Sequence, residues 1–133
     1  MRAIVPVGRV LFVLIFVASA VGHFSSATIS EASAHGVPFA TILVPLAGLI
    51  ALVGGVSIML GYRARFGALL LVVFLVPVTL VMHRFWGLAD VQEAMMQRVN
   101  FMKNVSLIGG CLMIMHFGSG PYSLDRGSRL QAR

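Results

Sequence analysis

Long apolar segments without charge constrain the fold of this chain more than any other feature. Three of them cover residues 4–24, 37–61 and 66–82, and only Arg9 places a formal charge inside one of them. A helix of roughly 20 residues crosses the hydrocarbon core of a bilayer. A long arginine side chain can reach the interface from one or two turns inside. The sequence therefore predicts membrane-spanning helices.

A fourth span is predicted to end at Phe117. The uncharged residues 105–117 are too few to cross a bilayer alone, so we expect a span near 99–117. Asp90 followed by Glu93 is typical of a capping box at a helix start. One face of the next turns is apolar, with helical spacing between Leu88, Val91, Met95, Val99 and Met102. We expect an interfacial amphipathic helix near 88–101 that leads into the fourth span.

These elements predict an all-α fold, an integral membrane four-helix bundle in a single domain that covers residues 1–133. The chain has 59% hydrophobic residues and a mean hydropathy of +0.97, and a soluble domain of this size could not bury so much apolar surface. The net charge of +6 does not indicate nucleic acid, because the ten Lys and Arg residues flank apolar segments instead of forming one basic face. The expected partner is the lipid bilayer.

The positive-inside rule predicts the orientation. With four spans, seven basic residues fall on the side of the two termini: Arg2, Arg9, Arg63, Arg65, Arg126, Arg129 and Arg133. The other side has three: Arg84, Arg98 and Lys103. Both termini, including a tail at 118–133, are therefore expected in the cytoplasm of a bacterium, with the protein in the inner membrane.

A secretory signal peptide is the alternative interpretation of the first span. Arg2 and Arg9 form a positive n-region, and Ala18-Ser19-Ala20 and Ala32-Ser33-Ala34 both fit a small-residue cleavage site. A measurement of the intact mass distinguishes the two interpretations, because cleavage would remove the first span.

Polar residues concentrate between Leu80 and Asn104, and chemistry is expected there. His83, Arg84 and Trp86 end the third span, and the helix of the fourth brings Lys103 and Asn104 to a similar depth. Cations and amide donors beside an aromatic ring could bind an anionic or carbonyl-bearing lipophile, such as a quinone. The alternative is a polar cluster that only anchors the span ends at the membrane interface.

The remaining polar residues indicate no catalytic centre. The four histidines and the single Cys111 show no metal-binding or haem-binding spacing, so metal and haem are not favoured. On the side of the termini Asp125 is the only acidic residue, and the intramembrane Arg9 needs compensation, so Arg9 and Asp125 are predicted to form a structural polar pair.

Several motifs together resemble the DoxX family over nearly the whole chain. They are Gly8-Arg9, Gly54-Gly55, His83-Arg84-Phe85-Trp86, Lys103-Asn104, Gly109-Gly110 and the segment from Gly118 to Asp125. The resemblance implies a four-helix inner-membrane protein with an uncleaved first span. It also implies a small subunit of a quinone-linked redox system, which would work beside a larger redox partner. The alternative is a non-catalytic membrane anchor or assembly module for a partner protein.

Two positions depart from the pattern of that family. Family members often carry Glu where this chain has Ala51, and Lys where it has His23. A carboxylate and a cation inside the membrane would be a natural proton-handling pair, so these departures weaken any expectation of catalysis. The sequence does not determine the substrate, the electron donor or the partner. It also leaves open whether the protein forms a homo-oligomer.

Overall fold

The described part of the chain is entirely helical. A computed structural model describes residues 3–125 of the 133. The helices are α1 (Ile4–Ala20), α2 (Ser26–Ala34), α3 (Ala40–Leu60), α4 (Ala64–Met82) and α5 (Val91–Phe117), and a 3₁₀ turn over Val21–Phe24 continues α1. The predicted all-α class is confirmed for residues 3–125. Residues 126–133 of the predicted tail, with three of its arginines, and Arg2 lie outside the described residues.

Among residues 3–125, three helices are long and apolar enough to cross a membrane: Ile4–Phe24, which is α1 with its 3₁₀ turn, α3 and α4. Their outward surfaces are apolar, since Leu11, Ile42 and Phe66 are all more than half exposed. An apolar surface of this extent requires lipid rather than water around it. The chain is therefore a membrane protein in contact with the bilayer.

The longest helix, α5, is not among those three. It runs without a break over 27 residues, where the sequence predicted an interfacial helix near 88–101 and a span near 99–117. Asp90 caps it, because its side chain accepts a hydrogen bond from the backbone N–H of Glu93 at 2.9 Å. The charges of Glu93, Arg98 and Lys103 lower the hydropathy of its first half. The division of α5 into interfacial and spanning parts stays a prediction.

α3 lies at the centre of the helix packing. α1 and α4 pack against α3, and α5 packs against α4. The contact between α3 and α4 is closest at two glycines, since a Cβ on Gly67 would lie 2.8 Å from the carbonyl oxygen of Gly54. α1 and α5 meet where a Cβ on Gly110 would lie 2.6 Å from the ring of Phe12. Small residues of this kind let helix backbones approach in lipid.

The first half of α5 turns amide side chains toward the protein and leaves its charged side chains exposed. Met95 and Val99 are exposed, whereas Gln97 is half-buried and Asn104 is buried. A helix in water shows the opposite arrangement, with its apolar stripe packed on the core. The apolar residues of the predicted pattern therefore point away from the other helices, and the interfacial role of this half stays a prediction.

The glycine contact between α3 and α4 makes a testable prediction. Gly67→Ala would place a methyl group against backbone, so we expect a loss of about 1–3 kcal/mol of stability from overpacking. Gly109→Ala is the matched control, because Gly109 faces open space on α5. Alanine favours a helix over glycine by about 1 kcal/mol. Thermal unfolding of both variants in one detergent should lower the midpoint only for Gly67→Ala, and equal midpoints would contradict the packing.

Candidate functional site

A cavity of about 600 Å³ lies at one end of the helices, which we call the His83 end. All four long helices contribute to its wall, and α2 covers part of it. Most of the lining side chains are apolar, including Phe16, Leu46 and Val78. Its polar lining includes His23, Glu31, His83, Lys103 and Asn104. The cavity therefore combines an apolar wall with several polar groups.

The short helix α2 covers part of the cavity. A side-chain cap stabilises its first turn, and a buried alanine packs it against α3. The hydroxyl of Ser25 accepts a hydrogen bond from the backbone N–H of Thr28 at 3.2 Å, which caps the helix start. Ala32 is buried in a small cluster with Ala40 and Val44 of α3. Glu31, the neighbour of Ala32, lines the cavity. The second small-residue cleavage motif of the sequence thus lies on a packed helix.

His23 enters the cavity wall from the 3₁₀ turn after α1. The turn approaches α3 closely, since a Cβ on Gly48 would lie 2.5 Å from the Cβ of His23. The imidazole ring packs edge-on against Phe74 with ring centroids 5.5 Å apart. Its Nδ1 lies 2.9 Å from the carbonyl oxygen of Ser19. Glycine at position 48 therefore permits the approach that brings His23 to the cavity.

His83 follows the last residue of α4 and connects it to α5. Its Nδ1 lies 2.9 Å from Oε1 of Gln97, which belongs to the inward polar side of α5. The residue is half-buried and its ring lines the cavity. This hydrogen bond holds the ends of α4 and α5 together at the cavity wall.

Asn104 is the most buried polar group of the cavity, with 5% of its surface exposed. The hydrogen bonds found among residues 3–125 do not include its side-chain amide, which nevertheless lines the cavity. Its amide atoms are not among the fully enclosed polar atoms without a partner, which among the described residues are Arg9 Nε and Ser119 Oγ. Its donor and acceptor are therefore available to a molecule that occupies the cavity.

Lys103 and Asn104 are neighbours, but their surroundings differ. Lys103 is exposed, and its ammonium group donates a hydrogen bond to Oδ1 of Asn100 at 3.1 Å. It lines the cavity together with Asn104. One of the three N–H donors of the ammonium is thus used within its own helix.

Arg84 and Trp86 do not line the cavity. Both are exposed, and Trp86 packs edge-on against Phe85 and Phe101 with ring centroids 5.4 and 6.0 Å apart. The chain leaves its helix at His83, which directs the next residues away from the cavity. Of the five predicted ligand-binding residues, three share the cavity and two lie outside it. Ligand binding by any of them stays a prediction.

The sequence prediction missed His23 and Glu31 as cavity residues. His23 was placed at the end of the first span, but its neighbours on α3 and α4 follow only from the packing. Glu31 lies in a segment of small and polar residues without apolar periodicity. The Ser25 cap was the signal that could have indicated α2. Within residues 3–125, no three His, Cys, Asp or Glu side chains lie together as a metal site.

The opposite end of the helices, which we call the Arg9 end, is closed by the chain itself. The Arg9 guanidinium is 6% exposed and donates hydrogen bonds to the carbonyl oxygens of Ser119, at 3.0 Å, and Tyr122. These bonds hold the segment after α5 against α1. A Cβ at Gly61 would overlap Nη1 of Arg9, so only glycine fits there. Gly61 also has a φ of 63°, which favours glycine.

Asp125 caps α4 at the same end of the molecule. Its carboxylate accepts a hydrogen bond from the backbone N–H of Arg63 at 2.8 Å, and Ala64 N lies 3.5 Å from its second oxygen. A carboxylate at a helix start complements the helix dipole. The Asp125 charge also acts on the Arg9 guanidinium. The two residues thus belong to one polar region, while their direct pairing stays a prediction.

Replacement of Arg9 tests this closure. Arg9→Met would leave the carbonyls of Ser119 and Tyr122 without their charged donor, and each such hydrogen bond contributes about 1.5–3 kcal/mol. We expect lower stability in denaturant titrations and faster proteolysis of the segment after α5. Arg65→Met is the control, since exposed Arg65 donates one hydrogen bond to the carbonyl of His116. An Arg9→Met variant as stable as Arg65→Met would contradict the assigned role.

The helices, their lipid-facing surfaces and the interior cavity define a helical integral membrane protein. The sequence model of the SURF4 family matches residues 3–129. The chain therefore belongs to the SURF4 family.

Two kinds of protein are similar to this chain: bacterial inner membrane proteins and a Surfeit locus protein 4 homolog. The chain is 31% identical to inner membrane protein YqjF of Escherichia coli over 92% of its length and 89% of that protein. It is 25% identical to inner membrane protein YphA of the same species, over 90% and 86% of the two chains. It is 23% identical to the Surfeit locus protein 4 homolog of Schizosaccharomyces pombe, of which it spans 37%. No solved structure matches the chain.

The family match shows that the resemblance to the DoxX family was wrong, and with it the interpretation as a redox subunit that contacts quinone. The motifs that suggested it have structural explanations. Gly54 and Gly110 lie at close helix contacts, and His83 to Trp86 mark the end of a helix. Features of this kind are required of many helical membrane proteins. They do not distinguish one family from another.

Proposed function

We propose that this protein binds an amphipathic molecule non-covalently in the cavity at the His83 end. The observation that carries the proposal is Asn104, a residue 5% exposed whose side chain lies on the wall of a mainly apolar cavity and makes no hydrogen bond to another described residue. The volume of about 600 Å³ falls within the range of small-molecule sites. The apolar wall suits a hydrocarbon chain, and the polar side chains suit a head group.

We place the polar end of the ligand at His83, Lys103 and Asn104. These three side chains line the cavity on the α4 and α5 side. Arg84 and Trp86 follow His83 and are exposed outside the cavity lining, where an arginine and an aromatic cluster suit the head-group region of the bilayer. In this proposal they set the depth of the cavity in the membrane and contact a ligand only as it enters.

We further propose that α5 is a fourth span and that the protein is a four-helix membrane bundle. A helix of 27 residues is about 40 Å long at 1.5 Å per residue, enough to cross the bilayer and extend beyond it. The exposed side chains of its second half include Leu112 and Met113, both more than half exposed. Those of its first half include Met95 and Val99. The apolar outward face of the second half supports contact with lipid, whereas Glu93, Arg98 and Lys103 are exposed on the first half.

The distribution of basic residues supports one orientation of this bundle. Arg9, Arg63 and Arg65 belong to the Arg9 end, and the positive-inside rule places that end in the cytoplasm. The cavity would then face the outer side of the membrane. The E. coli relatives are named inner membrane proteins, which supports the same location for this chain.

Photolabelling tests the proposed ligand site. The probes share one acyl chain with a diazirine near its end and carry a glycerol, a methyl ester or a carboxylate head. In bilayer nanodiscs we expect saturable labelling of cavity peptides by at least one probe, and about tenfold weaker labelling in Asn104→Leu, because a leucine cannot bond the head. Ser106→Leu is the matched control on α5, because Ser106 is exposed, lies outside the cavity lining and donates to the carbonyl oxygen of Met102. Labelling that no excess of unlabelled lipid displaces would contradict the proposal.

Cysteine accessibility tests the proposed orientation. After replacement of Cys111 by serine, single cysteines at Ser30 of α2 and at Arg65 should react differently with a membrane-impermeant maleimide. We expect Ser30→Cys to react in intact cells and Arg65→Cys only after lysis, since the two positions lie at opposite ends of the helices. Reaction of both, or of Arg65→Cys alone, in intact cells would overturn the orientation.

A further inference from the structure

Neighbouring long helices meet along lines of contact that we call seams, and three seams are held at both ends of the molecule. They are the seams of α1 with α3, of α3 with α4, and of α4 with α5. At the Arg9 end the contacts are, in that order, Gly61 with Arg9, Gly54 with Gly67, and the carbonyl oxygen of His116 with Arg65. At the His83 end they are Gly48 with His23, the buried cluster around Val44 with Met82, and Gln97 with His83.

The fourth seam, between α1 and α5, is held differently. At the Arg9 end Arg9 donates hydrogen bonds to the carbonyls of Ser119 and Tyr122 after α5, and further along Phe12 lies against Gly110. Among residues 3–125, α1 and α5 are nevertheless not one of the helix pairs whose backbones lie close along their length. The two helices therefore separate beyond the Phe12–Gly110 contact, toward the His83 end.

The cavity lies where α1 and α5 separate. The two helices run in opposite directions, so the residues level with each other beyond that contact are Ile15 with Leu107, and then Ser19 with Lys103. All four line the cavity. Ile15 is nevertheless 39% exposed, Ser19 and Lys103 are exposed, and Leu107 is half-buried. Residues that line a cavity and also face outward stand at its mouth, so the cavity opens between α1 and α5.

This mouth reaches the depth of the lipid chains. Ile15 lies nine residues before Phe24, the end of the first span, which places it about 15 Å inside a hydrocarbon core of roughly 30 Å. The hydroxyl of Ser19 donates to the carbonyl oxygen of Phe16 at 3.2 Å, so its proton is satisfied within α1. Toward the water, α2 and residues 36–38 cover part of the cavity. The mouth is therefore more open to lipid than the end is to water.

We infer that the ligand enters sideways from the bilayer, between α1 and α5. This inference rests on the proposed function, and it names the class of ligand as a lipid already dissolved in the membrane. The hydrocarbon chain passes between Ile15 and Leu107, while the head moves at the depth of Lys103 to reach Asn104. On this route the apolar chain never crosses water, where every exposed methylene group would raise the barrier.

A reversible bridge across the mouth tests the route. With Cys111 replaced by serine, Ile15→Cys and Leu107→Cys are joined in bilayer nanodiscs by an alkyl bis-methanethiosulfonate, and mass spectrometry verifies the bridge. If the bridge is formed first, we expect about tenfold weaker labelling of cavity peptides by each of the three acyl probes described above. If the probe is loaded first, we expect the bridge to retain it against excess unlabelled lipid. A reductant should reverse both effects.

A second pair on the same seam is the matched control. Gly8 and Met113 are exposed and lie about one turn from the Phe12–Gly110 contact, toward the Arg9 end. Nothing lies within 4 Å of a Cβ at Gly8, so a cysteine fits there. A bridge between Gly8→Cys and Met113→Cys spans the part of the seam that is already closed, so labelling should be unchanged in either order of addition.

Single substitutions test the route without a bridge. Ile15→Trp narrows the mouth, so we expect probes to approach saturation about fivefold more slowly, as measured by flashes after increasing times of incubation. Leu11→Trp is the control one turn earlier on α1, because Leu11 is 63% exposed and lies outside the cavity lining. Thermal unfolding verifies that both variants fold. Equal rates in the two variants would overturn the inference.

The outcomes separate the two proposals. Undiminished labelling after the bridge has formed would mean that the ligand enters elsewhere, so the inference would fail and the proposed function would stand. Loss of labelling in both orders of addition would mean that the bridge displaces the ligand, and the rates of Ile15→Trp then decide. If no probe gives saturable labelling of the unbridged protein, the proposed function fails and the inference fails with it.

Discussion

Lipid around the helices removes the gain that burial of apolar side chains gives in water, so this structure depends on close contact between helix backbones. Gly54 and Gly67 let α3 and α4 approach until an added methyl group would strike a carbonyl oxygen. Gly48 does the same for the 3₁₀ turn after α1, and Gly110 for the contact with Phe12. Without these contacts, association of the helices would have little energetic advantage over contact of each helix with lipid.

The surrounding lipid also limits where polar groups can lie. A polar group within the bilayer must find a partner inside the protein. At the Arg9 end the chain supplies most of the partners, because the segment after α5 offers its carbonyls to the guanidinium and Asp125 caps α4, while Arg9 Nε and Ser119 Oγ are buried without a partner among the described residues. At the His83 end the inward polar side of α5 faces a cavity, and Asn104 has no partner among the described residues. One end is closed by the fold, and the other is suited to a ligand.

The sequence predicted those features that depend on local patterns. Apolar segments indicated the helices, and Asp90 with Glu93 indicated where α5 begins. The periodicity of α5 was visible, but its outward direction was not, because a pattern shows which residues share a face and not what covers that face. The small helix α2 was missed because its mainly small and polar residues carry almost no apolar periodicity.

The candidate site was predicted only in part, for a similar reason. His83, Lys103 and Asn104 lie at the ends or on the inner side of helices, so their depth could be inferred from helix geometry. Arg84 and Trp86 follow the end of α4, where no periodicity fixes their direction. His23 and Glu31 reach the cavity through contacts of the 3₁₀ turn and α2 with α3, at Gly48 and Ala40. Such contacts between distant segments cannot be inferred from spacing along the chain.

Ala51 shows how the packing and the chemistry of this protein are connected. It is fully buried in a cluster that includes Val13 and Phe16 of α1 and Leu71 of α4, where a carboxylate would lose its water and find apolar neighbours. A glutamate at this position would separate the helices that the small residues bring together. In the described chain the centre of the helix packing is therefore apolar, and the polar groups are confined to the two ends. Binding of a small molecule at one end is consistent with such an interior, because the cavity meets the apolar cluster at Phe16 and Phe74 and does not reach Ala51.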